Sequence, residues 1–248
     1  RLKEYIKQSR NDLYVENSTI IPISIIIPCC NEEKTICETI KSLLILNYPE
    51  YEIIIVNDGS TDNTLSLLMK EFQLKRADIE YDEQIPTSSV RAIYATIRIP
   101  NLIVLDKYNG GKADALNAGL NLARYPLICS IDADSIIEKN AFHKLVNPFL
   151  KDENTVAVGG MIRIANGCEI EGGVLKKVSL PGNLLVRHQI LEYLRAFLTN
   201  RIGFEKINSL LIISGAFGLF QKSAVVELGG YRHTIGEDME LTLRLHQY

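Results

Sequence analysis

The chain has 248 residues, of which 46% are hydrophobic and 23% are charged, with a net charge of -3 at pH 7. This composition is typical of a globular domain and excludes a disordered chain, because enough apolar surface is present to build a core. No block of Lys and Arg occurs in the sequence, which argues against a nucleic-acid binder. The 5 cysteines form no CxxC pair, so we expect reduced thiols and no zinc site.

Short runs of apolar and β-branched residues alternate along the chain with segments of helical periodicity. Runs of this length, bounded by polar residues, are typical of strands buried on both faces. The predicted strands are Ile23–Ile27, Ile53–Val56, Leu102–Leu105, Leu127–Ile131 and Val156–Val158. Apolar residues spaced three and four apart predict helices between them, around Ile36, Leu65, Leu116 and Phe142. This alternation predicts an α/β domain with a mostly parallel central sheet flanked by helices.

Other stretches interrupt this alternation. Gln73–Pro100 is polar and Asn166–Gly182 is rich in glycine, so we expect irregular excursions in both. Leu184–Phe197 predicts a further helix. The mixture of apolar and basic residues around Arg187–Arg201 favours a helix packed on the sheet over one lying on a membrane surface. Leu210–Phe220 predicts one or two buried strands. No apolar run reaches the ~18 residues that a membrane-spanning helix needs.

Polar and acidic residues follow several of the predicted strands. Asn31 and Glu32 come after the first strand, Asp58 after the second, and Asp132 and Asp134 after the fourth. Ligands of open α/β sheets bind at the carboxyl ends of the strands, so these side chains should share one edge of the sheet. Carboxylates repel one another at close range, and such an edge therefore favours a bound cation.

The glycine-rich phosphate loops of other nucleotide-binding proteins do not occur in this sequence. The first strand is followed by Pro28–Glu33 and not by a GxGxxG turn. The run Gly110-Gly111-Lys112-Ala113 lacks the spacing and the final hydroxyl group of a P-loop. These exclusions favour a site that binds a diphosphate through a metal ion.

Asp132-Ala133-Asp134 is the candidate metal-binding motif. In an extended segment, alternate side chains point to the same side, which would bring the two carboxylates together. Hard oxygen ligands suit Mg²⁺ or Mn²⁺, which bind phosphate oxygens while keeping only one or two protein carboxylates. The alternative is a pair of solvated turn aspartates that cap the helix starting near Glu138. The position of the motif directly after a buried strand favours the metal ion.

A second acidic motif, which contains Glu237 and Asp238, precedes a helical pattern near the end of the chain. Asp238 could serve as the general base for an attacking hydroxyl group. A carboxylate at this position is also typical of a helix cap, and the residues alone favour the cap. The histidines His143, His188 and His233 lie in polar surroundings and are interpreted as surface residues.

Segments spread over nearly the whole chain, from Ile23 onward, carry a family resemblance. They are SIIIPCCNEEKTI, YEIIIVNDGSTDNT, NGGKADALNAGL, SIDADS, SGAFGLFQKSAV and GGYRHTIGEDMELTLRL. In this order they resemble the family 2 glycosyltransferases, which have the GT-A fold. Within that family the sequence is most similar to the membrane-embedded polysaccharide synthases that make cellulose, hyaluronan and poly-N-acetylglucosamine.

The resemblance implies a role for each matching position on the donor side. The implied donor-binding residues are Pro28, Asn31, Glu32, Asp58, Lys112 and Asp132. Among them, Asp58 would accept a hydrogen bond from the nucleotide base, and Lys112 would lie near the diphosphate or the sugar. Asp134 would be the principal ligand of a Mn²⁺ or Mg²⁺ cofactor, with Asp132 beside it.

The resemblance also implies the acceptor side and the reaction. Asp238 would be the catalytic base with Glu237 beside it, and the turn at Ser214 and Gly215 would lie near the acceptor. The implied reaction is a metal-dependent, inverting transfer of a sugar from a UDP-sugar to a hydroxyl group of a saccharide or lipid-linked acceptor. No residue stands out as a covalent nucleophile, which favours a single displacement.

Residues 1–248 then form one GT-A catalytic domain. We expect a lead-in at 1–20, a nucleotide-sugar and metal-binding half at 21–160, and an acceptor-side half at 161–248. Synthases of this type carry a Q/RxxRW motif after the acidic base motif, whereas this sequence contains no Trp. We therefore expect a fragment: the cytoplasmic catalytic domain of a protein that is embedded in the cell membrane through segments absent here.

The residues of this sequence distinguish a glycosyltransferase from two alternative classes of protein. A nucleotidyltransferase would carry a glycine-rich loop with Arg and Lys near the first strand, and Cys29–Glu33 does not fit that pattern. A non-catalytic module that binds sugars or scaffolds a membrane complex would be free to lose Asp134 or Asp238. Both residues are present, which favours the enzyme over the scaffold.

Overall fold

The computed structural model describes residues 20–196 and 213–248. Most of the predicted lead-in at 1–20 lies outside the described residues. So do the last residue of the helix predicted to Phe197 and the start of the strand predicted from Leu210. In the described ranges, no helix combines the length and the apolar character needed to cross a membrane.

An eight-stranded mixed sheet forms the centre of the described residues. Together with a separate two-stranded hairpin, the described residues contain ten strands: β1 (Ile23–Cys29), β2 (Tyr51–Asp58), β3 (Lys75–Ala77), β4 (Val90–Ala95), β5 (Leu102–Lys107), β6 (Leu127–Ile131), β7 (Ala157–Gly159), β8 (Glu169–Glu171), β9 (Val174–Lys177) and β10 (Phe217–Gln221). The order in the sheet is β3-β4-β5-β2-β1-β6-β10-β7, and β8 pairs with β9 in a separate hairpin. The central strands β5, β2, β1 and β6 are parallel, and the strands on both flanks are antiparallel.

Helices cover both faces of this sheet. They are α1 (Ile36–Leu44), α2 (Thr64–Glu71), α3 (Lys112–Leu122), α4 (Ala141–Lys151), α5 (Leu184–Arg195), α6 (Lys222–Glu227) and α7 (Glu237–Leu245). Apolar side chains of α1, α2 and α4 pack into one core, and those of α3, α6 and α7 pack into another. Strand β1 supplies both cores, because Ile25 and Ile27 face one side while Ile26 faces the other.

The structure corrects the prediction for the stretches that break the alternation. Gln73–Pro100 is not only an irregular excursion, because β3 and β4 lie within it and extend the sheet through antiparallel pairing with β5. Asn166–Gly182 likewise contains the β8–β9 hairpin. The predicted helix at Leu184–Phe197 is present as α5, but none of its residues is buried. The expectation that this helix packs on the sheet is therefore wrong.

Helix α3 joins the sheet to its carboxyl edge. Most of its residues are buried, and a side chain at Gly119 would collide with Ile26 of β1. The glycine therefore permits the helix to lie directly on the central strands. Because α3 starts at Lys112, just beyond the end of β5, its amino-terminal turn lies at the carboxyl edge of the parallel strands.

Candidate active site

A cavity of about 480 Å³ lies at the carboxyl ends of the parallel strands. Most of the residues predicted to bind the donor or the metal ion line it, namely Pro28, Glu32, Asp58, Lys112, Asp132 and Asp134. They come from different parts of the chain and meet because parallel strands end at the same edge of a sheet. The shared edge that was predicted from the sequence is therefore present in the structure.

Asn31 is the predicted donor-binding residue that does not line this cavity. Its backbone has a φ of 59°, a left-handed conformation that asparagine tolerates better than most residues. Its Oδ1 accepts hydrogen bonds from the backbone N–H groups of Thr61 at 2.8 Å and Asp62 at 3.2 Å. In this structure the side chain of Asn31 thus joins the loops after β1 and β2, and a donor contact for it stays a prediction.

Asp58 is buried, and both of its carboxylate oxygens accept hydrogen bonds. Its carboxylate pairs with Lys107 Nζ at 2.7 Å and accepts from the N–H groups of Gly110 at 2.9 Å and Gly111 at 2.8 Å. These bonds fix the turn that leads into α3, which carries Lys112. The predicted contact of Asp58 with a nucleotide base stays a prediction, and the structure adds a role for Asp58 in ordering this turn.

Lys107 is a residue of the site that sequence reasoning missed. Its side chain is fully buried, contacts the carboxylates of Asp58 and Asp114, and donates to the carbonyl oxygen of Tyr108 at 2.7 Å. A buried ammonium group is tolerated only when it is paired in this way. The signal in the sequence was the pair Asp106-Lys107 directly after the apolar run Leu102–Leu105, on a strand that is buried along its whole length.

Another acidic residue at the same edge of the sheet is paired with a positively charged side chain. Asp106, at the end of β5, pairs with Arg91 at 2.7 Å and accepts from the side-chain amide of Asn57 at 2.7 Å. These partners account for its charge without a metal ion. Among the carboxylates that line the cavity, those of Asp132 and Asp134 belong to the Asp132-Ala133-Asp134 motif, and that of Glu32 follows β1.

This motif forms a turn after β6 and is not extended as the sequence reasoning assumed. Ala133 is buried, and its carbonyl oxygen accepts a hydrogen bond from Thr39 Oγ1 at 2.7 Å. Asp132 and Asp134 both still line the cavity, with Asp134 exposed. Two hard carboxylates open to a cavity fit a Mg²⁺ or Mn²⁺ ion that completes its shell with phosphate and water. No cluster of three or more potential protein ligands occurs among the described residues.

Lys112 joins the Asp132-Ala133-Asp134 turn to the start of α7. Its Nζ lies 2.8 Å from Asp132 Oδ1 and 3.2 Å from Glu237 Oε1. Burial acts to lower the pKa of Lys112, but hydrogen bonds and charge from Asp132 and Glu237 outweigh it, so the pKa is raised. The lysine is therefore charged at neutral pH and links the end of β6 to the start of α7.

Asp238 lies in the first turn of α7 and contacts the predicted acceptor turn. Its Oδ2 accepts from the N–H of Gly215 at 3.3 Å, and its Oδ1 accepts from Met239 N at 2.8 Å. A Cβ on Gly215 would lie 3.5 Å from Lys112 Nζ and 3.7 Å from Glu237 Oε1. The structure therefore brings the residues of the predicted donor, base and acceptor groups to one place.

The cap interpretation of Asp238 does not hold in its simple form. The N-cap position of α7 is Gly236, whose φ of 90° suits glycine, and Asp238 follows inside the helix. A carboxylate in the first turn still interacts favourably with the helix dipole. Ser214 Oγ accepts a hydrogen bond from Ala216 N at 3.4 Å, and the position of Ser214 near the acceptor stays a prediction.

The fold and the site define a glycosyltransferase of the GT-A type, and a comparison with known families establishes the assignment. The family model described as "Glycosyltransferase like family 2" matches residues 21–247, and the chain belongs to that family. The resemblance inferred from the sequence motifs is thereby confirmed.

Among curated proteins, the chain is similar to poly-beta-1,6-N-acetyl-D-glucosamine synthases. It is 30% identical over 237 residues to that of Staphylococcus epidermidis, covering 94% of this chain and 48% of the relative. It is 32% identical over 231 residues to that of Staphylococcus aureus strain COL, covering 90% of this chain and 45% of the relative. The chain thus spans about half the length of these relatives.

Solved structures with the same fold are more distant in sequence. A mannosyltransferase from Pyrobaculum calidifontis in complex with GDP-Man and Mn²⁺ has a TM-score of 0.60 and 18% identity, covering 97% of this chain and 58% of that one. The TarS protein of Staphylococcus aureus in complex with UDP-GlcNAc has a TM-score of 0.55 and 19% identity, covering 91% and 53%. These similarities confirm the predicted α/β GT-A fold.

Proposed function

We propose that the chain transfers a sugar from a UDP-sugar donor to an acceptor hydroxyl group during polysaccharide synthesis. The donor we infer is UDP-N-acetylglucosamine, because the similar curated proteins are named as synthases of a poly-N-acetylglucosamine. A structure of the same fold binds UDP-GlcNAc, which is consistent with this donor. The acceptor we infer is the hydroxyl group of a growing saccharide or of a lipid-linked sugar.

One observation carries this proposal: Lys112, which lines the cavity, bridges Asp132 and Glu237. A protein that only bound the donor would need the acidic residues after β6 but not Glu237. A scaffold would need neither Asp132 nor Glu237. Here the residue predicted to bind the diphosphate contacts the neighbour of the predicted base, so bound donor and acceptor would lie next to each other. Such proximity is what transfer between two bound substrates requires.

Asp134 and Asp132 would hold a Mn²⁺ or Mg²⁺ ion, as the hard oxygen set at the cavity floor allows. Such an ion neutralises the negative charge on a departing diphosphate. Lys112, whose raised pKa keeps it charged, would bind the diphosphate from the side of α3. A neutralised leaving group needs no proton from an acid, and no acid is assigned for it.

Asp238 would take the proton of the acceptor hydroxyl group as that oxygen attacks the anomeric carbon. Its Oδ2 accepts only a long hydrogen bond of 3.3 Å from Gly215 N, so this oxygen can accept a further proton. Attack from the side opposite the diphosphate inverts the anomeric centre. We propose a single inverting displacement because Asp238 can activate the acceptor for direct attack on the anomeric carbon, so that no covalent intermediate on the protein is needed.

The cytoplasmic location of the domain and the membrane embedding of a longer protein stay predictions. The half-length coverage of the curated relatives is consistent with them. The division of the chain into a donor half at 21–160 and an acceptor half at 161–248 is likewise a proposal. It is supported by Asp132 and Asp134 lying in the first half and Gly215 and Asp238 in the second.

A calorimetric titration of the 248-residue chain tests this function. UDP and UDP-N-acetylglucosamine should bind with Mn²⁺ present and bind far more weakly with EDTA, while ADP and GDP should bind more weakly than UDP. Equal affinity for UDP with Mn²⁺ and with EDTA would refute the metal role. Absence of binding to every nucleoside diphosphate tested would refute the donor site and favour the scaffold.

A further inference from the structure

The loop between α6 and α7 is anchored firmly at its base. Tyr231 N donates to Asn117 Oδ1 at 2.8 Å, and Asn117 Nδ2 donates back to the carbonyl oxygen of Tyr231 at 2.8 Å. Both residues are buried, and a side chain at Gly230 would collide with Asn117. Arg244 of α7 donates to the carbonyl oxygens of Leu228 and Gly230. The loop is therefore held against α3, the helix that begins with Lys112.

This anchoring places His233 over the first turn of α3. A Cβ on Gly111 would lie 3.5 Å from Cε1 and 3.6 Å from Nε2 of the His233 ring, which is ordinary van der Waals contact. Gly111 and Lys112 both line the cavity, so the imidazole lies beside a cavity-lining residue. The neighbouring Arg232 pairs with Glu240 at 3.3 Å and is held by α7. The side chain of this loop that contacts Gly111 is the imidazole of His233.

The charge balance at this end of the cavity calls for a further hydrogen-bond donor. Lys112 is shared by Asp132 and Glu237, so its single positive charge already faces two carboxylates. A diphosphate would bring more negative charge to the same place. The backbone N–H groups of Gly110 and Gly111 are bonded to Asp58 and are not free to bind it. The imidazole of His233 is exposed and able to donate.

We propose that His233 is a donor-binding residue whose imidazole hydrogen-bonds to the diphosphate of the nucleotide sugar, beside Lys112. This inference rests on the proposed function, because it needs a nucleoside diphosphate in the cavity. The ring lies near the positive end of the α3 dipole, which favours an anion there.

The test compares ligands with and without phosphate on matched variants. Wild type, His233→Ala and His233→Gln are titrated with UDP in the presence of Mn²⁺ and, separately, with uridine, and His188→Ala is the control. His188 is an exposed histidine on α5, away from the cavity. Loss of one hydrogen bond to a charged group should lower the UDP affinity of His233→Ala about tenfold to a hundredfold. Affinity for uridine should not change, and His233→Gln should recover part of the UDP affinity.

Each other outcome has a defined meaning. An unchanged UDP affinity in His233→Ala, or an equal loss for UDP and uridine, would overturn the assignment of His233 to the diphosphate. Failure of the wild type to bind any nucleoside diphosphate would overturn the proposed function, and His233 with it. Because His233 is exposed, its variants should keep the wild-type melting temperature, which is measured in parallel.

Discussion

Replacing Lys112 with Gln separates a structural role of this lysine from a role in binding the donor. The substitution keeps a side chain of similar length and removes the positive charge that Asp132 and Glu237 share. The lysine side chain is 41% exposed, so each of its ion pairs stabilises the fold by only about 0–1 kcal/mol. We therefore expect a loss of about 1 kcal/mol, which lowers the melting temperature by about 2–4 °C for a chain of this length.

Binding of UDP should change more than stability does. A charged hydrogen bond to phosphate contributes about 1.5–3 kcal/mol, so Lys112→Gln should weaken UDP binding about tenfold to a hundredfold. Mn²⁺ alone should bind this variant more tightly than wild type, because Asp132 no longer has a competing cation. These opposite changes are a signature that loss of packing could not produce.

Calorimetry with UDP and with Mn²⁺, together with thermal unfolding, measures these effects. The matched control is Lys144→Gln, because Lys144 also pairs with a carboxylate, that of Glu138 at 3.3 Å, but lies on α4 away from the cavity. Lys144→Gln should leave the affinities for UDP and Mn²⁺ unchanged. A marked loss of stability in Lys112→Gln with wild-type affinity for UDP would refute the donor role and leave Lys112 as a structural link.

The dependence on pH follows from the raised pKa of Lys112. A group whose pKa is higher in the folded protein stabilises the fold fully below its unfolded pKa and loses that effect as pH rises through the folded pKa. The difference in melting temperature between wild type and Lys112→Gln should thus be constant from about pH 6 to 9 and vanish only at more alkaline pH.

Three further substitutions test the metal, the base and the buried ion pair. Asp134→Ala should abolish the Mn²⁺-dependent part of UDP binding without changing the melting temperature, and calorimetry that shows wild-type metal dependence would contradict this. Asp238→Asn should keep UDP affinity but slow transfer about 10²–10⁴-fold, measured as UDP release in preparations from cells that express the whole gene. Transfer at the wild-type rate would exclude Asp238 as the base. Asp58→Ala should lower the free energy of unfolding by about 3–5 kcal/mol, because it leaves the fully buried Lys107 with one carboxylate fewer. Urea unfolding measures this loss, and a change below about 1 kcal/mol would show that the pair is unimportant.

Much of the fold could be predicted because its central strands are buried on both faces. β1, β2, β5 and β6 appear where continuous apolar runs predicted them, since a strand covered by helices on both sides needs apolar residues at every position. The short flanking strands β3 and β4 were missed in a stretch expected to be irregular. They are half-exposed, so their pattern is weak, and pairing with β5 stabilises them more than local preference does.

The candidate site shows the same division. Asp132, Asp134 and Asp238 could be identified because acidic residues recur at strand and helix ends in the order that the family motifs share. Lys107 could not, because whether a lysine after an apolar run points to solvent or is buried between Asp58 and Asp114 depends on the packing of α3. Likewise, the sequence did not show that Asn31 joins the loops after β1 and β2, and its contact with the donor stays a prediction.

The sequence by itself determined the α/β class, the parallel centre of the sheet, the family and the acidic motifs. Those properties depend on periodicity and on residue types close together in the chain. Only the tertiary structure decided that Lys112 reaches both Asp132 and Glu237, and that His233 lies over Gly111. Lys112 and Glu237, like Gly111 and His233, lie more than a hundred positions apart, and Asp132 follows a different strand from the one that leads to Lys112. No local pattern specifies such distances, because they are set by how helices and loops pack on the sheet.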